Sequence, residues 1–238
     1  MILPNNSLTH IIFRCHNRQF LLKDKAVKEY LLVLWARYKR RYGVEIHEFI
    51  IMDNHCHLLV RAKSTEALGH FMRTANSLLA RYVNRILDRD SQVIRERYRS
   101  PLITIESYAF RTMQYIWLNR FKVNGKSPLL DLYCSIAWRN NPGLARRIAC
   151  DDEELRLLEG LIDTDTELYP ENSRKFVLDL LNEAISRLGD LTPEIFGHSH
   201  TIGDGATVRF RSGLLKAFRL EKNPWPGHVS SFAINPAR

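Results

Sequence analysis

The chain is short of cysteine, and what it has forms no pattern. Cys15, Cys56, Cys134 and Cys150 are scattered over 238 residues, with no C-x-x-C pair. That excludes a disulfide-built secreted scaffold and a zinc ribbon, and it implies reduced thiols in a cytoplasm. Long apolar runs are missing as well: nothing approaches the roughly 20 residues of a membrane-spanning helix. The opening stretch MILPNNSLTH lacks a basic segment followed by a long apolar one, so no secretory signal is expected. Internal repeats and low-complexity tracts are absent, and 45% hydrophobic content is enough for a packed core.

Acidic residues are scarce in one half. Residues 1–126 hold 22 Lys/Arg against 10 Asp/Glu, whereas residues 127–238 hold 13 against 16. The whole excess of positive charge, +9 over the chain, therefore sits in the first half. A basic body of this kind fits a polyanion, most often nucleic acid, although a well-solvated surface gives the same count.

The periodicities order the first half as β-α-β-β-α-β-α. Residues 8–15 read as a strand. Residues 23–43 read as a helix, with Val27, Tyr30, Leu31, Leu34 and Tyr38 at helical spacing and Gly43 as its stop. Its basic end, RYKRRY, complements the helix dipole without any need for a ligand. Residues 44–52 and 55–62 are two strands joined by the turn Asp53-Asn54, and a second helix spans 65–87 with Ser64 as N-cap. Residues 101–107 read as a fourth strand and 108–123 as a third helix. This order predicts an α+β fold, a ferredoxin-like antiparallel sheet carrying helices. The segment LLDLYCSIAWRNN is ambiguous between helix and strand; 151–162 and 173–189 read as amphipathic helices. We expect one domain over 1–126, then a small, mainly helical extension and tail over 127–238.

Two histidines, His55 and His57, sit one residue apart in the apolar run FIIMDNHCHLLV. Side chains alternate along a strand, so the two share a face, roughly 6.5–7 Å apart, with Cys56 opposite. Such a pair can converge on a cation, which would need further ligands from elsewhere. A bare H-x-H is also the pattern of two hydrogen-bonded strand histidines.

The third helix offers a partner. Phe110, Met113, Ile116, Trp117 and Phe121 form one apolar face, and Arg111, Tyr115, Asn119 and Lys122 line up on another. Tyr115 and Asn119 are one turn apart and can meet at one spot. A tyrosine hydroxyl can attack phosphorus, a cation can stabilise the charge that develops, and the Asn119 carbonyl can serve as a third ligand. Arg111 and Lys122 can steady a DNA backbone. A tyrosine at a helix flank is also a common half-buried residue.

With these residues together, the first half resembles the REP-associated tyrosine transposases of the single-tyrosine HUH superfamily. The resemblance rests on MDNHCHLLV, on YIWLN from Tyr115 to Asn119, and on LARYVNR and RERYRS between them. It covers roughly residues 8–125. It implies the HUH fold, with His55, His57 and Asn119 as ligands of Mg²⁺ or Mn²⁺ and Tyr115 as the catalytic nucleophile. The implied reaction cuts single-stranded, hairpin-associated DNA, leaving a 5′-phosphotyrosine and a free 3′-hydroxyl that can later rejoin the strand. A monomer in a bacterial-type cytoplasm, associated with the nucleoid, is the form it favours. Three positions depart from the pattern. Cys56 replaces a plain hydrophobic residue, Met52 stands where some relatives carry an acidic ligand, and Arg120 follows Asn119 where proline is common, so the helix should run on.

DNA contacts are expected from three places. Arg73, Arg81 and Arg85 make a basic stripe on the second helix, a track for phosphates or simply a solvated face. Arg97, Tyr98 and Arg99 interleave charge with an aromatic that can stack a base, and Tyr98 is the second candidate nucleophile. Arg14, Asn17 and Arg18 follow the first strand and, by analogy with the family, contact a short recognition sequence; His10, His47 and His70 are expected in structural or surface roles. A non-catalytic nucleic-acid-binding protein and a nuclease that activates water are the competing functions.

Overall fold

A computed structural model describes residues 6–164 and 174–189. Three strands form one antiparallel sheet: β1 (Ser7–Arg14), β2 (Val44–Ile51) and β3 (His55–Ala62), in the order β1-β3-β2. The sheet separates two apolar cores. On one face Ile11, Phe13, Phe49, Ile51, Cys56 and Leu58 pack against α1 (Lys25–Tyr42) and α2 (Thr65–Ile86). On the other, Leu8, Ile50 and Leu59 pack against α3 (Glu106–Asn124).

The helix ends follow local chemistry. The Asp24 carboxylate accepts the Ala26 N–H at 2.7 Å, and the Ser64 hydroxyl accepts the Ala67 N–H at 3.1 Å. Gly43 closes α1 in the left-handed region, at φ 62°. A Cβ there would meet only the flexible, exposed Lys63 side chain, so it is the left-handed conformation that calls for glycine.

β2 contains a bulge. Ile46 pairs with Val60, but Glu48, not His47, pairs with Leu59. The extra residue shifts the alternation, so Val44 and Ile46 share the α1–α2 face with Phe49 and Ile51. It also sends Glu48 to the α3 face, where the buried carboxylate accepts the Trp117 indole N–H at 2.6 Å.

The fourth strand expected at 101–107 does not form. Residues 93–103 run along the free edge of β1 by single bridges, Ile12 with Arg99 and Thr9 with Leu102 among them. Pro101 has no N–H for a regular ladder, and it contributes its carbonyl to the His10 N–H at 3.0 Å. Glu106 and Ser107 already belong to α3. The α+β class stands, with three regular strands and a bridged edge.

α3 is buried on more sides than a two-faced projection suggests. Met113, Ile116 and Trp117 are buried as expected, but so are Thr112, Gln114 and Leu118, while Phe110 and Phe121 are only half-buried. The reason is α6 (Arg174–Gly189), which packs on the helix from outside the sheet; Gln114 donates to the Leu180 carbonyl at 3.1 Å. The helix continues through Arg120 to Asn124, as the missing proline implies.

The ambiguous segment is both things it resembled. Tyr133 and Cys134 extend along β2, with the Ile51 N–H donating to the Tyr133 carbonyl at 2.9 Å, and α4 (Ser135–Asn140) follows at once. Further on, α5 (Asp152–Glu159) leads to Asp163, whose N–H reaches the Ile46 carbonyl at 2.8 Å. Trp138, Leu144 and Leu158 join the α1–α2 core, and Cys134 and Ile136 join the α3 core. The tail from Thr201 lies outside the described residues.

Candidate active site

β1 and β3 bring the site together through their register. Arg14 pairs with His55, Ile12 with His57 and His10 with Leu59. Paired residues share a face, so Arg14, His10, His55 and His57 all point toward α3. Cys56 points the other way into the α1–α2 core, as strand alternation required. Met52 is buried against α3 and offers no charged ligand.

Tyr115 meets the histidines edge-on. Its ring centroid lies 5.3 Å from that of His57 at 82°, and 6.2 Å from that of His10. His55 and His57 are 5.1 Å apart, centroid to centroid. Asn119, one turn on, donates its amide N–H to the Tyr115 carbonyl at 3.0 Å. Lys122 lies over the Tyr115 ring with Nζ 4.3 Å from the centroid, and Arg111 is half-buried one turn before Tyr115.

Burial sets the protonation states. It holds His57 well below the usual imidazole range, and neighbouring His55, His10, Arg14 and Lys122 push the same way. His57 is therefore neutral, the form that can ligate a metal. Burial pushes the Tyr115 phenol up to about 12, against the opposing effects of a hydrogen bond with Asn119 and the charge of Arg14. Burial alone takes Lys122 down to about 7. The Arg14 guanidinium is lowered first by burial; Tyr115 opposes this, while Arg18, Arg99 and Arg95 add to it. Those four arginines form one electropositive cluster at the Tyr115 end of the sheet.

Among the described residues, no group of three or more His, Cys, Asp or Glu side chains is arranged to hold a metal ion. The donors fit a cation in another way. His55 Nδ1 donates to Asn54 Oδ1 at 2.7 Å, and His57 Nδ1 lies 3.0 Å from His10 Nε2. With Nδ1 engaged on both rings, Nε2 is the nitrogen of each with which a cation would bond. Asn119 would supply an amide oxygen, and oxygen ligands suit Mg²⁺ or Mn²⁺.

His10, expected in a structural or surface role, is fully buried and stacks on His57 at 5.1 Å. Its parity with Arg14 along β1 was the available signal, but the register that sets it beside His57 is a tertiary fact. His47 is buried at the bulge, with Nδ1 3.4 Å from the Asp163 carbonyl. His70 is exposed and stacks on Tyr42 at 6.0 Å.

The expected DNA contacts divide between the two sides of the sheet. Arg99 bridges to Ile12 and so shares the site face with Arg14. Asn17 and Arg18 form the exposed turn at the end of β1, both left-handed, at φ 49° and 56°. Tyr98 packs against the α1–α2 core, with the Arg97 guanidinium 5.9 Å from its ring. That places it on the opposite side from the histidines. Arg73, Arg81 and Arg85 are exposed on α2, whose buried face is also in the α1–α2 core. The stripe therefore lies on the outer side of the layer away from Tyr115.

An antiparallel sheet that aims two histidines at a helix-borne tyrosine defines an α+β protein with a candidate phosphoryl-transfer site. Residues 5–115, just under half of the chain, match the family described as transposase, IS200-like. The match takes in both histidines and ends at Tyr115. No curated protein matches the chain. Among solved structures it is similar to one described as the structure of the REP associates tyrosine transposase bound to a REP hairpin. Identity is 13% and TM-score 0.46, over 63% of this chain and 88% of that one.

Proposed function

We propose that the protein is a transposase that cuts and rejoins single-stranded, hairpin-associated DNA through Tyr115. The observation that carries this reading is the edge-on approach of the Tyr115 ring to His57 within one chain, 5.3 Å between centroids. His55, His57 and Asn119 would hold Mg²⁺ or Mn²⁺. The cation would polarise a phosphate oxygen and stabilise the charge that builds up on displacement.

The chain's own residues do the rest. The Tyr115 hydroxyl oxygen attacks the phosphorus; the phosphorus–O3′ bond breaks, and the leaving 3′ oxygen takes up a proton in place of the one the phenol loses. The product is a 5′-phosphotyrosine and a 3′-hydroxyl. The phosphotyrosine conserves the energy of the phosphodiester, so a 3′-hydroxyl can reverse the step and rejoin a strand. A phenol with a pKa near 12 is a poor nucleophile until its proton leaves. Arg14 offsets the negative charge of the phenolate, and the Lys122 amine, close to half-deprotonated near neutral pH, lies over the same ring. Arg14, Arg18, Arg95 and Arg99 would hold the phosphates beside the cut. Asn17 and Arg18, both left-handed, fit a preformed contact turn, since such backbone persists only where the surrounding structure over-determines it.

The test is trapping of a covalent adduct on a nicked hairpin oligonucleotide with Mn²⁺. The wild-type chain should form it, and Tyr115→Phe should lose it completely while retaining DNA binding. An adduct that survives Tyr115→Phe and disappears in Tyr98→Phe would move the nucleophile to the other side of the sheet. Cleavage without an adduct would indicate a nuclease that activates water. Tight binding without cleavage would indicate a non-catalytic binding protein.

A further inference from the structure

The two histidines are alike in one respect that the proposed chemistry does not by itself require. Each has Nδ1 tied to a neighbour from outside the H-x-H pair. Asn54 does this for His55, with Oδ1 2.7 Å from Nδ1. The amide orientation is fixed independently, because Asn54 Nδ2 donates to the Arg18 carbonyl at 3.1 Å. Oδ1 can only accept, so the His55 proton is on Nδ1 and its lone pair on Nε2. His10 faces the corresponding nitrogen of His57. Its Nε2 lies 3.0 Å from His57 Nδ1, the two rings stack at 28°, and both side chains are fully buried. In such a pair one nitrogen must donate and the other accept.

We propose that His10 and Asn54 are positioning residues that fix both ligand histidines as Nδ1–H tautomers, with each Nε2 lone pair set for the metal. The proposal rests on the reading of His55 and His57 as ligands. A histidine that binds metal through Nε2 must carry its proton on Nδ1, and an acceptor at Nδ1 orients the ring and raises the basicity of the ligating nitrogen. Asn54 adds a connection. The amide that holds His55 also holds the carbonyl of Arg18, in the left-handed turn at the end of β1. Through this one side chain, the turn expected to contact DNA is coupled to the ligand His55.

The test reads the tautomers directly. Long-range ¹H–¹⁵N correlation spectra of the metal-free, full-length protein should show Nδ1–H and a bare Nε2 on both histidines. Mn²⁺ binding, measured by titration calorimetry without DNA, should weaken about 10- to 100-fold in Asn54→Leu and in His10→Leu, the size of effect expected for such outer partners. Asn54→Asp, which keeps an acceptor oxygen, should recover most of the affinity. Asn54 is partly exposed, so its replacement tests the idea even if the buried His10→Leu variant fails to fold. An Nε2–H tautomer on either histidine of the wild type would overturn the proposal, as would unchanged Mn²⁺ affinity in Asn54→Leu. Nδ1–H tautomers in a wild-type protein that binds no Mn²⁺ would instead overturn the ligand reading beneath it, and the positioning role with it.

Discussion

Tyr115 and Lys122 show what burial does to single groups. The same loss of solvent raises the phenol to about 12 and lowers the amine to about 7, because each then favours its uncharged form. Lys122 makes a stability prediction. Between pH 7 and the ordinary lysine value of 10.5 the unfolded chain holds a proton that the folded chain has released. The unfolding free energy from this group therefore rises with pH across that window, and the fold is weakest on its account below pH 7. Urea unfolding at a series of pH values should show the rise in the wild type and a flatter profile in Lys122→Met. An equal slope in both would mean that Lys122 is not desolvated. The residue types at Tyr115, His55, His57 and Asn119 were legible in sequence, since each could be assigned a face by alternation or helical projection. His10 was not, because nothing along the chain records that Ile12 pairs with His57.

At the scale of elements, the bulge in β2 and the helix α4 form one unit. The bulge turns Glu48 onto the α3 face, and side chains from α3 and α4 converge on its carboxylate. Trp117 and Ser135 donate to it, and Arg139 pairs with it at 2.8 Å and with the His47 carbonyl at 2.7 Å. Trp117 is two residues from both Tyr115 and Asn119, so this buried knot helps hold the turn of α3 that carries them. Removing Arg139 takes the ion-pair partner from a fully buried carboxylate. Arg139→Met should cost about 3–5 kcal/mol by denaturant unfolding. The double change Glu48→Gln with Arg139→Met should recover a good part of that, and failure to recover would mean that the loss comes from Arg139 packing. The strands and long helices were legible because their apolar spacings are simple. The bulge and the failed fourth strand were not, since one depends on which partner Glu48 finds and the other on residues 93–103 meeting β1 only by single bridges.

At the scale of the molecule, the sheet sorts the basic residues. Arg14, Arg18, Arg95 and Arg99 gather at the Tyr115 end, while Arg73, Arg81 and Arg85 line the outside of the opposite layer. A short single strand seated at Tyr115 should feel the first group alone. Arg99→Gln should weaken binding of a short single-stranded oligonucleotide and reduce its salt slope by about one, whereas Arg81→Gln should leave both unchanged. If Arg81→Gln weakens the short oligonucleotide as much, the strand takes a path around α2. The extension is also a matter of the whole molecule. Tyr133, Cys134 and Asp163 cover the edge of β2, and Lys39, buried in α1, reaches the Asp163 carboxylate at 2.5 Å and the Leu161 carbonyl at 2.9 Å. A chain ending at residue 126 would expose that edge, take Asp163 and Leu161 from Lys39, and take Ser135 and Arg139 from Glu48. We expect it to lack a cooperative unfolding transition in circular dichroism. A truncated chain with wild-type stability would show that residues 1–126 are a self-sufficient domain.

The sequence by itself determined local facts: the three regular strands and the long helices, that His55 and His57 share a face without Cys56, and that Tyr115 and Asn119 meet one turn apart. Those follow from covalent periodicity, which every short segment carries within itself. Only the tertiary structure decided which side of the sheet each face meets. Register set His10 beside His57, sheet order put Tyr98 and the α2 arginines away from the histidines, and ion pairs tied the extension into both cores. Such contacts join residues tens of positions apart, and their energies depend on burial that no local window of sequence contains.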